Sequence, residues 1–157
     1  MRSDLRHPHA RRRGQPPPEA AAVERTKEHT MEWKIELIHV PVSDVDRAKE
    51  FYERVGFHPD HDQQVNDDLR FVQMTPPGSA CSIAFGTGLG GTLQPGQLDA
   101  IQVVVPDADE ALAHLRSVGV EADGVDDQAW GRFVTFADPD GNSWTLQQLP
   151  AWSANAG

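Results

Sequence analysis

The chain is poor in cysteine, in basic residues and in long apolar runs. Its 157 residues include one cysteine, Cys81, and 14 Lys and Arg against 24 Asp and Glu. A single cysteine excludes an intramolecular disulfide. The lack of an apolar run of about 20 residues excludes a membrane-spanning helix, and no apolar signal-peptide core is present. These absences predict a cytoplasmic protein that does not act at a membrane, with enough residues to bury one core.

The few basic residues are unevenly placed. Residues 1–30 hold seven Lys and Arg and four Asp and Glu, so the other 127 residues hold seven and 20. Such an acidic body argues against nucleic acid and anionic membranes as partners. The first 30 residues combine three consecutive arginines with a proline run and show no hydrophobic period, which predicts a disordered extension. A nucleic-acid arm or a targeting peptide is the alternative for this segment.

The rest of the chain contains an internal repeat. A shift of 63 positions places Ile38–Gly56 on Ile101–Gly119 with eight identical residues. The tripeptide Arg70-Phe71-Val72 then recurs as Arg132-Phe133-Val134. Duplicated units pack around a pseudo-twofold axis, so a functional site is expected between the copies.

Each copy has the pattern of a βαβββ module. An alternating strand pattern precedes Asp44, a residue suited to cap a helix, and Gly56 ends the helical spacing that follows. Asp107 and Gly119 repeat this pair in the second copy. The resulting prediction is an α+β domain over 31–150, in which a curved mixed sheet surrounds a central cup and the helices lie outside. Its parts are the first module at 35–86, a glycine-rich linker at 87–95, the second module at 96–148 and a tail at 151–157.

Two stretches carry a resemblance to a known family. Ile38-His39-Val40-Pro41-Val42-Ser43-Asp44 precedes the first helix, and Phe136-Ala137-Asp138-Pro139-Asp140-Gly141-Asn142 lies near the C-terminus. Together with the repeat they make the chain similar to the vicinal oxygen chelate superfamily, which includes glyoxalase I, extradiol dioxygenases and bleomycin-binding resistance proteins. The resemblance implies the tandem βαβββ fold and two-module homodimers.

The resemblance also implies four positions at which the metal-using members place their ligands. In this chain those positions are His39, Ser82, Gln102 and Thr145. Catalytic transition metals prefer imidazole and carboxylate ligands, whereas hydroxyl and carboxamide groups are weak and neutral. We therefore predict no metal and no other cofactor.

The same residues, together with Gln147, are expected to form an uncharged hydrogen-bonding ring in the cup. Such a ring suits a small organic ligand with carbonyl, hydroxyl or amide groups. Alternatively, the polar side chains only satisfy one another across the pseudo-axis. His39 is the candidate acid/base, because its ordinary pKa of about 6.5 suits proton transfer near neutrality; the alternative is a packing role.

Trp130 and Arg132 follow an acidic stretch that is predicted to be a loop at the cup mouth. They are candidates to stack on a planar ligand or to pair with an anion. Because Arg132 repeats Arg70, a structural salt bridge is the favoured alternative. Trp144 has the opposite strand parity to Thr145 and is predicted to lie in the core. His58, His61 and Asp62 have a spacing that could hold a surface metal ion, but the segment His58–Asp62 is predicted to be a solvated, turn-rich loop.

These observations favour a protein that binds a small organic molecule between its modules without a catalytic metal. It either sequesters a drug or metabolite or acts as a cofactor-free isomerase or lyase. The alternative is a metal-dependent glyoxalase-type lyase or dioxygenase. The acidic, open-edged body is expected to form a homodimer.

Overall fold

A computed structural model describes residues 31–151. The predictions for residues 1–30 and for most of the tail lie outside these residues. All the elements described below lie within the unit Ile35–Gly157. Among the described residues, no helix is long and apolar enough to cross a membrane.

The α+β prediction is confirmed, since the elements follow the order βαβββ twice. The first module contains β1 (Leu37–His39), α1 (Val45–Val55), β2 (His58–Asn66), β3 (Leu69–Thr75) and β4 (Ser82–Thr87). The second contains β5 (Ile101–Val104), α2 (Ala108–Ser117), β6 (Asp126–Gln128), β7 (Gly131–Ala137) and β8 (Ser143–Gln148).

Each module forms its own four-stranded mixed sheet. Sheet A has the strand order β1-β4-β3-β2, and sheet B has the order β5-β8-β7-β6. The first strand of each module is parallel to the last, and the other neighbours are antiparallel. Strands β1 and β5 are therefore edge strands.

Capping hydrogen bonds and a glycine conformation explain where the helices begin and where α1 ends. The Asp44 side chain accepts a hydrogen bond from the backbone N–H of Arg47 at 3.0 Å, and the Asp107 side chain does the same for Glu110. Such caps satisfy N–H groups that have no partner in the first helical turn. Gly56 ends α1 with φ +123°, a conformation that other residues rarely adopt.

One core joins the two modules. Tyr52 and Phe57 pack on Trp144 of the second module, with ring centroids 5.8 Å and 5.4 Å apart. Trp144 is 1% exposed, which confirms its predicted core position. Helix α1 packs on β2, β3 and β4 of its own module, and its Phe51 and Tyr52 also contact Phe136 and Trp144 of the second module. Large aromatic residues from both modules contribute to this core. The helix-facing side of each sheet therefore packs against it.

Candidate functional site

Strand register assigns five predicted site residues to the outer face of each sheet, the face opposite the helices: His39, Ser82, Gln102, Thr145 and Gln147. In sheet A, His39 pairs with Ala84 and Leu37 with Ser82. In sheet B, Gln102 pairs with Thr145 and Val104 with Gln147. Residues paired across neighbouring strands share a face. The parity predicted from sequence therefore groups His39 with Ser82, and Gln102 with Thr145 and Gln147.

His39 is exposed on the outer face of sheet A. It lines a cavity of about 230 Å³ together with most residues of the glycine-rich segment between Gly86 and Pro95, Thr87 and Gln94 excepted. Among the described residues, no side chain hydrogen-bonds to its imidazole, so none fixes which ring nitrogen carries the proton. A general base is ordinarily oriented by a hydrogen-bonded neighbour, and this geometry supplies none.

Ser82 and Gln102 line a second cavity, of about 300 Å³, which His39 does not line. Pro76 and Pro77 from the first module contribute apolar wall to this cavity. Cys81 also lies there, and burial raises the pKa of its thiol, with a smaller contribution from the charge of Glu36. A raised pKa leaves little of the nucleophilic thiolate.

A chain of hydrogen bonds lies behind Ser82, which is 6% exposed. Its Oγ is 2.7 Å from Thr75 Oγ1, and the Thr75 hydroxyl donates to Asp60. The other oxygen of Asp60 lies 3.8 Å from His58 Nε2. Thr75 and Asp60 were not predicted as site residues. The expectation of a loop at His58–Asp62 is wrong, because these residues begin β2 and pair with β3.

A similar series of hydrogen bonds orients the side chain of Gln102 on sheet B. Its Nε2 donates to Gln147 Oε1 at 2.6 Å, and Gln147 Nε2 donates to the backbone oxygen of Trp130 at 2.9 Å. Thr145 is half-buried beside them. The indole of Trp130 is 59% exposed. It stands in the short turn between β6 and β7, where sequence predicted a longer loop.

Arg132 lies on the helix-facing side of sheet B. It bonds Asp109 of α2 at 2.8 Å and Asp127 of β6 at 2.7 Å. Hydrogen bonds to these carboxylates, that to Asp109 first, raise the pKa of the guanidinium further above its usual value. Arg70 makes the equivalent pairs in the first module with Asp46 and Asp62. This repeated geometry supports the structural alternative for Arg132.

The donor set does not fit a catalytic metal ion. The hydroxyl of Ser82 is engaged with Thr75, and Gln102 with Gln147. His39 and Gln102 line different cavities. Within residues 31–151, no group of three or more His, Cys, Asp and Glu side chains is arranged to hold a metal ion. One imidazole with neutral oxygen ligands would leave a double positive charge uncompensated.

Comparisons with known proteins agree on one family. The family model of the Glyoxalase/Bleomycin resistance protein/Dioxygenase superfamily matches residues 28–146. No curated protein is a significant match.

Three solved structures share both sequence and fold with the chain. TnmS3, an antibiotic binding protein from Streptomyces sp. CB03234, is 36% identical, with 78% of this chain and 100% of that chain covered and a TM-score of 0.69. A glyoxalase/bleomycin resistance protein from the same organism is 38% identical, with 73% and 100% covered and a TM-score of 0.65. A superfamily member from Sphaerobacter thermophilus DSM 20745 is 30% identical, with 75% and 98% covered and a TM-score of 0.64.

Proposed function

The chain belongs to the Glyoxalase/Bleomycin resistance protein/Dioxygenase superfamily, and we propose that within it the protein binds a small organic molecule without a catalytic metal ion. The observation that carries this proposal is the chemistry of the four family positions. His39, Ser82, Gln102 and Thr145 offer one imidazole, two hydroxyls and a carboxamide, groups that hydrogen-bond an organic ligand and bind divalent cations poorly. The likeness to an antibiotic binding protein supports the same function.

Sequestration is favoured over catalysis by the likeness to an antibiotic binding protein and, within one chain, by the surroundings of His39. A cofactor-free isomerase or lyase would use this imidazole as its acid/base. Its nearest strand neighbour, Ala84, carries no group that could orient the ring. We therefore propose a binding role, in which His39 and Gln102 contact the ligand and Thr145, Gln147 and Trp130 complete the surface.

The complete site is proposed to require two copies of the chain. Among residues 31–151, the outer face of sheet B is largely uncovered, and Val104 and Trp130 are 58% and 59% exposed. Within the described part of the chain, strands β1 and β5 each pair with another strand on one side only. A homodimer in which the outer face of sheet A covers that of sheet B in the partner would bury these groups. His39 would then face Gln102 of the partner subunit across one cup.

Ligand binding is tested with a library of small organic molecules that includes bleomycin, followed by calorimetry on the best binder. We expect His39→Ala and Gln102→Ala each to weaken binding about tenfold, since each removes a hydrogen bond from the ligand. Gln94→Ala is the matched control because Gln94 is exposed and lines neither cavity. Large losses of melting temperature with unchanged affinity would show that His39 and Gln102 are structural and would contradict the proposal.

The dimer is tested by light scattering of the whole chain. We expect a dimer mass at micromolar concentration and a monomer for Val104→Asp, because a carboxylate would lie in an apolar contact. A monomer mass for the unmodified protein would refute the paired cup.

A further inference from the structure

The hydrogen-bond chain behind Ser82 fixes the direction in which its hydroxyl points. An ionised carboxylate only accepts hydrogen bonds, so Asp60 takes the single hydroxyl proton of Thr75. Thr75 Oγ1 can then only accept from Ser82, 2.7 Å away. The proton of Ser82 is thereby directed at Thr75. What Ser82 Oγ presents to the cavity is a pair of acceptor sites.

The hydrogen bonds behind Gln102 have fixed directions for the same reason, but here a backbone oxygen sets them. The backbone oxygen of Trp130 only accepts, so the NH₂ group of Gln147 points at it. The oxygen of the Gln147 amide then faces Gln102 and accepts from its Nε2. Gln102 therefore keeps its own amide oxygen and one N–H for a further partner.

Both series of hydrogen bonds, one ending at Ser82 and the other at Gln102, reach the cavity of about 300 Å³ between the Pro76-Pro77 turn and β5. We propose that this cavity selects its ligand by a hydrogen-bond donor, a hydroxyl or an amide N–H, which is bonded by Ser82 while the apolar walls hold the rest of the molecule. An ether or ester oxygen at the same place would meet lone pairs instead of a proton. This inference rests on the proposed binding function and specifies only the ligand group that Ser82 binds, in a cavity that His39 does not line, with Thr75 as a positioning residue.

Two probes that differ only in the donor test the selection. Benzyl alcohol carries a hydroxyl proton and benzyl methyl ether does not, whereas both carry the same ring. In titrations of ¹⁵N-labelled protein followed by NMR, we expect the alcohol to shift the amide signals of Ser82 and Ile83 and to bind about fivefold more tightly than the ether. Ser82→Ala should abolish this preference.

Variants at Thr75 separate a positioning role from a merely structural one. Thr75→Val keeps the side-chain shape but frees the Ser82 proton, so we expect the ether to bind as well as the alcohol. Thr75→Ser retains the relay and should restore the preference. Thr87→Val is the matched control, because Thr87 lies on β4, the strand of Ser82, and does not line the cavity.

Equal binding of the two probes, or no binding of benzyl alcohol near Ser82, overturns the inference. A preference that persists in Thr75→Val also overturns it, because the relay would then not set the direction of the hydroxyl. Should Thr75→Val not fold, Ser82→Ala and Thr75→Ser decide the question. Failure here is distinct from failure of the proposed function, which depends on the library binder and on His39→Ala.

Discussion

Replacing Tyr52 with Phe tests the buried hydrogen bonds that connect the two modules. The Tyr52 hydroxyl donates to Asp138 Oδ2 at 2.8 Å and accepts from Trp144 Nε1 at 3.1 Å. Asp138 is 5% exposed and Trp144 1%, so water cannot easily replace the lost hydroxyl. Asn142 also donates to Asp138 and to the backbone oxygen of Pro41, which extends the network to the segment between β1 and α1.

The expected loss of stability follows from the two buried groups that lose a hydrogen-bond partner, Trp144 Nε1 and the Asp138 carboxylate. A buried N–H without an acceptor costs about 1–3 kcal/mol, and a hydrogen bond to a carboxylate contributes about 1.5–3 kcal/mol. Phenylalanine has no hydroxyl to desolvate, which offsets part of this loss. We therefore expect Tyr52→Phe to lower the free energy of unfolding by about 3 kcal/mol, or roughly 10 °C in melting temperature.

The assay is urea unfolding followed by tryptophan fluorescence, with Asp138→Asn and the double variant completing a cycle. Because the two side chains are bonded, the cycle should show a coupling of about 1 kcal/mol or more. Gln94→Ala is an exposed control that should change stability by less than about 0.5 kcal/mol. A loss below about 1 kcal/mol for Tyr52→Phe, or additive effects in the cycle, would refute the claim that this hydroxyl joins the modules.

Three further outcomes are expected. Burial, and then the charge of Asp138, raise the pKa of Tyr52, the only tyrosine. The contribution of the Tyr52 hydroxyl to the free energy of unfolding is therefore complete below about pH 10, the ordinary pKa, and is lost as pH rises above it. Tyrosinate absorbance should therefore appear only with unfolding, and reversible ionisation near pH 10 in the folded protein would contradict this. Hydrogen bonds from Arg70, and then from Lys49, lower the pKa of Asp62 to about 2, so its contribution is present above about pH 4 and is lost as pH falls towards 2. Asp62→Asn should cost about 1 kcal/mol at pH 7 and nothing in strong acid, whereas an equal loss at both pH values in thermal unfolding would count against it. Elemental analysis should find less than stoichiometric Zn, Ni, Mn or Fe; one tightly held ion per chain that is lost in His39→Ala would disprove the metal-free site.

Several features could be predicted from the sequence because they depend on local chemistry. The cap at Asp44 and the stop at Gly56 bound α1 as expected. The turns at Pro76-Pro77-Gly78 and Asp138–Gly141 separate the predicted strands. Strand alternation placed Trp144 inside. Period, capping and turn residues act over a few positions, so they can be read without knowledge of the packing.

The polar part of the first module could not be predicted in this way. Strand β2 has no apolar alternation, and all nine of its residues are exposed. It is a strand because its backbone pairs with β3, a contact that leaves no mark in hydrophobic periodicity. For that reason Asp60 was not connected with Thr75 and Ser82.

The repeat determined that His39 and Gln102 occupy equivalent positions on equivalent strands. Only the tertiary structure decided which surfaces those strands present. The aromatic residues of α1 and β8 associate with each other and draw the helix-facing sides of both sheets onto one core. The two polar faces are consequently left outside it, with His39 and Gln102 in different cavities. Pseudo-symmetry fixes which residues correspond, whereas burial of the largest apolar side chains fixes which faces meet.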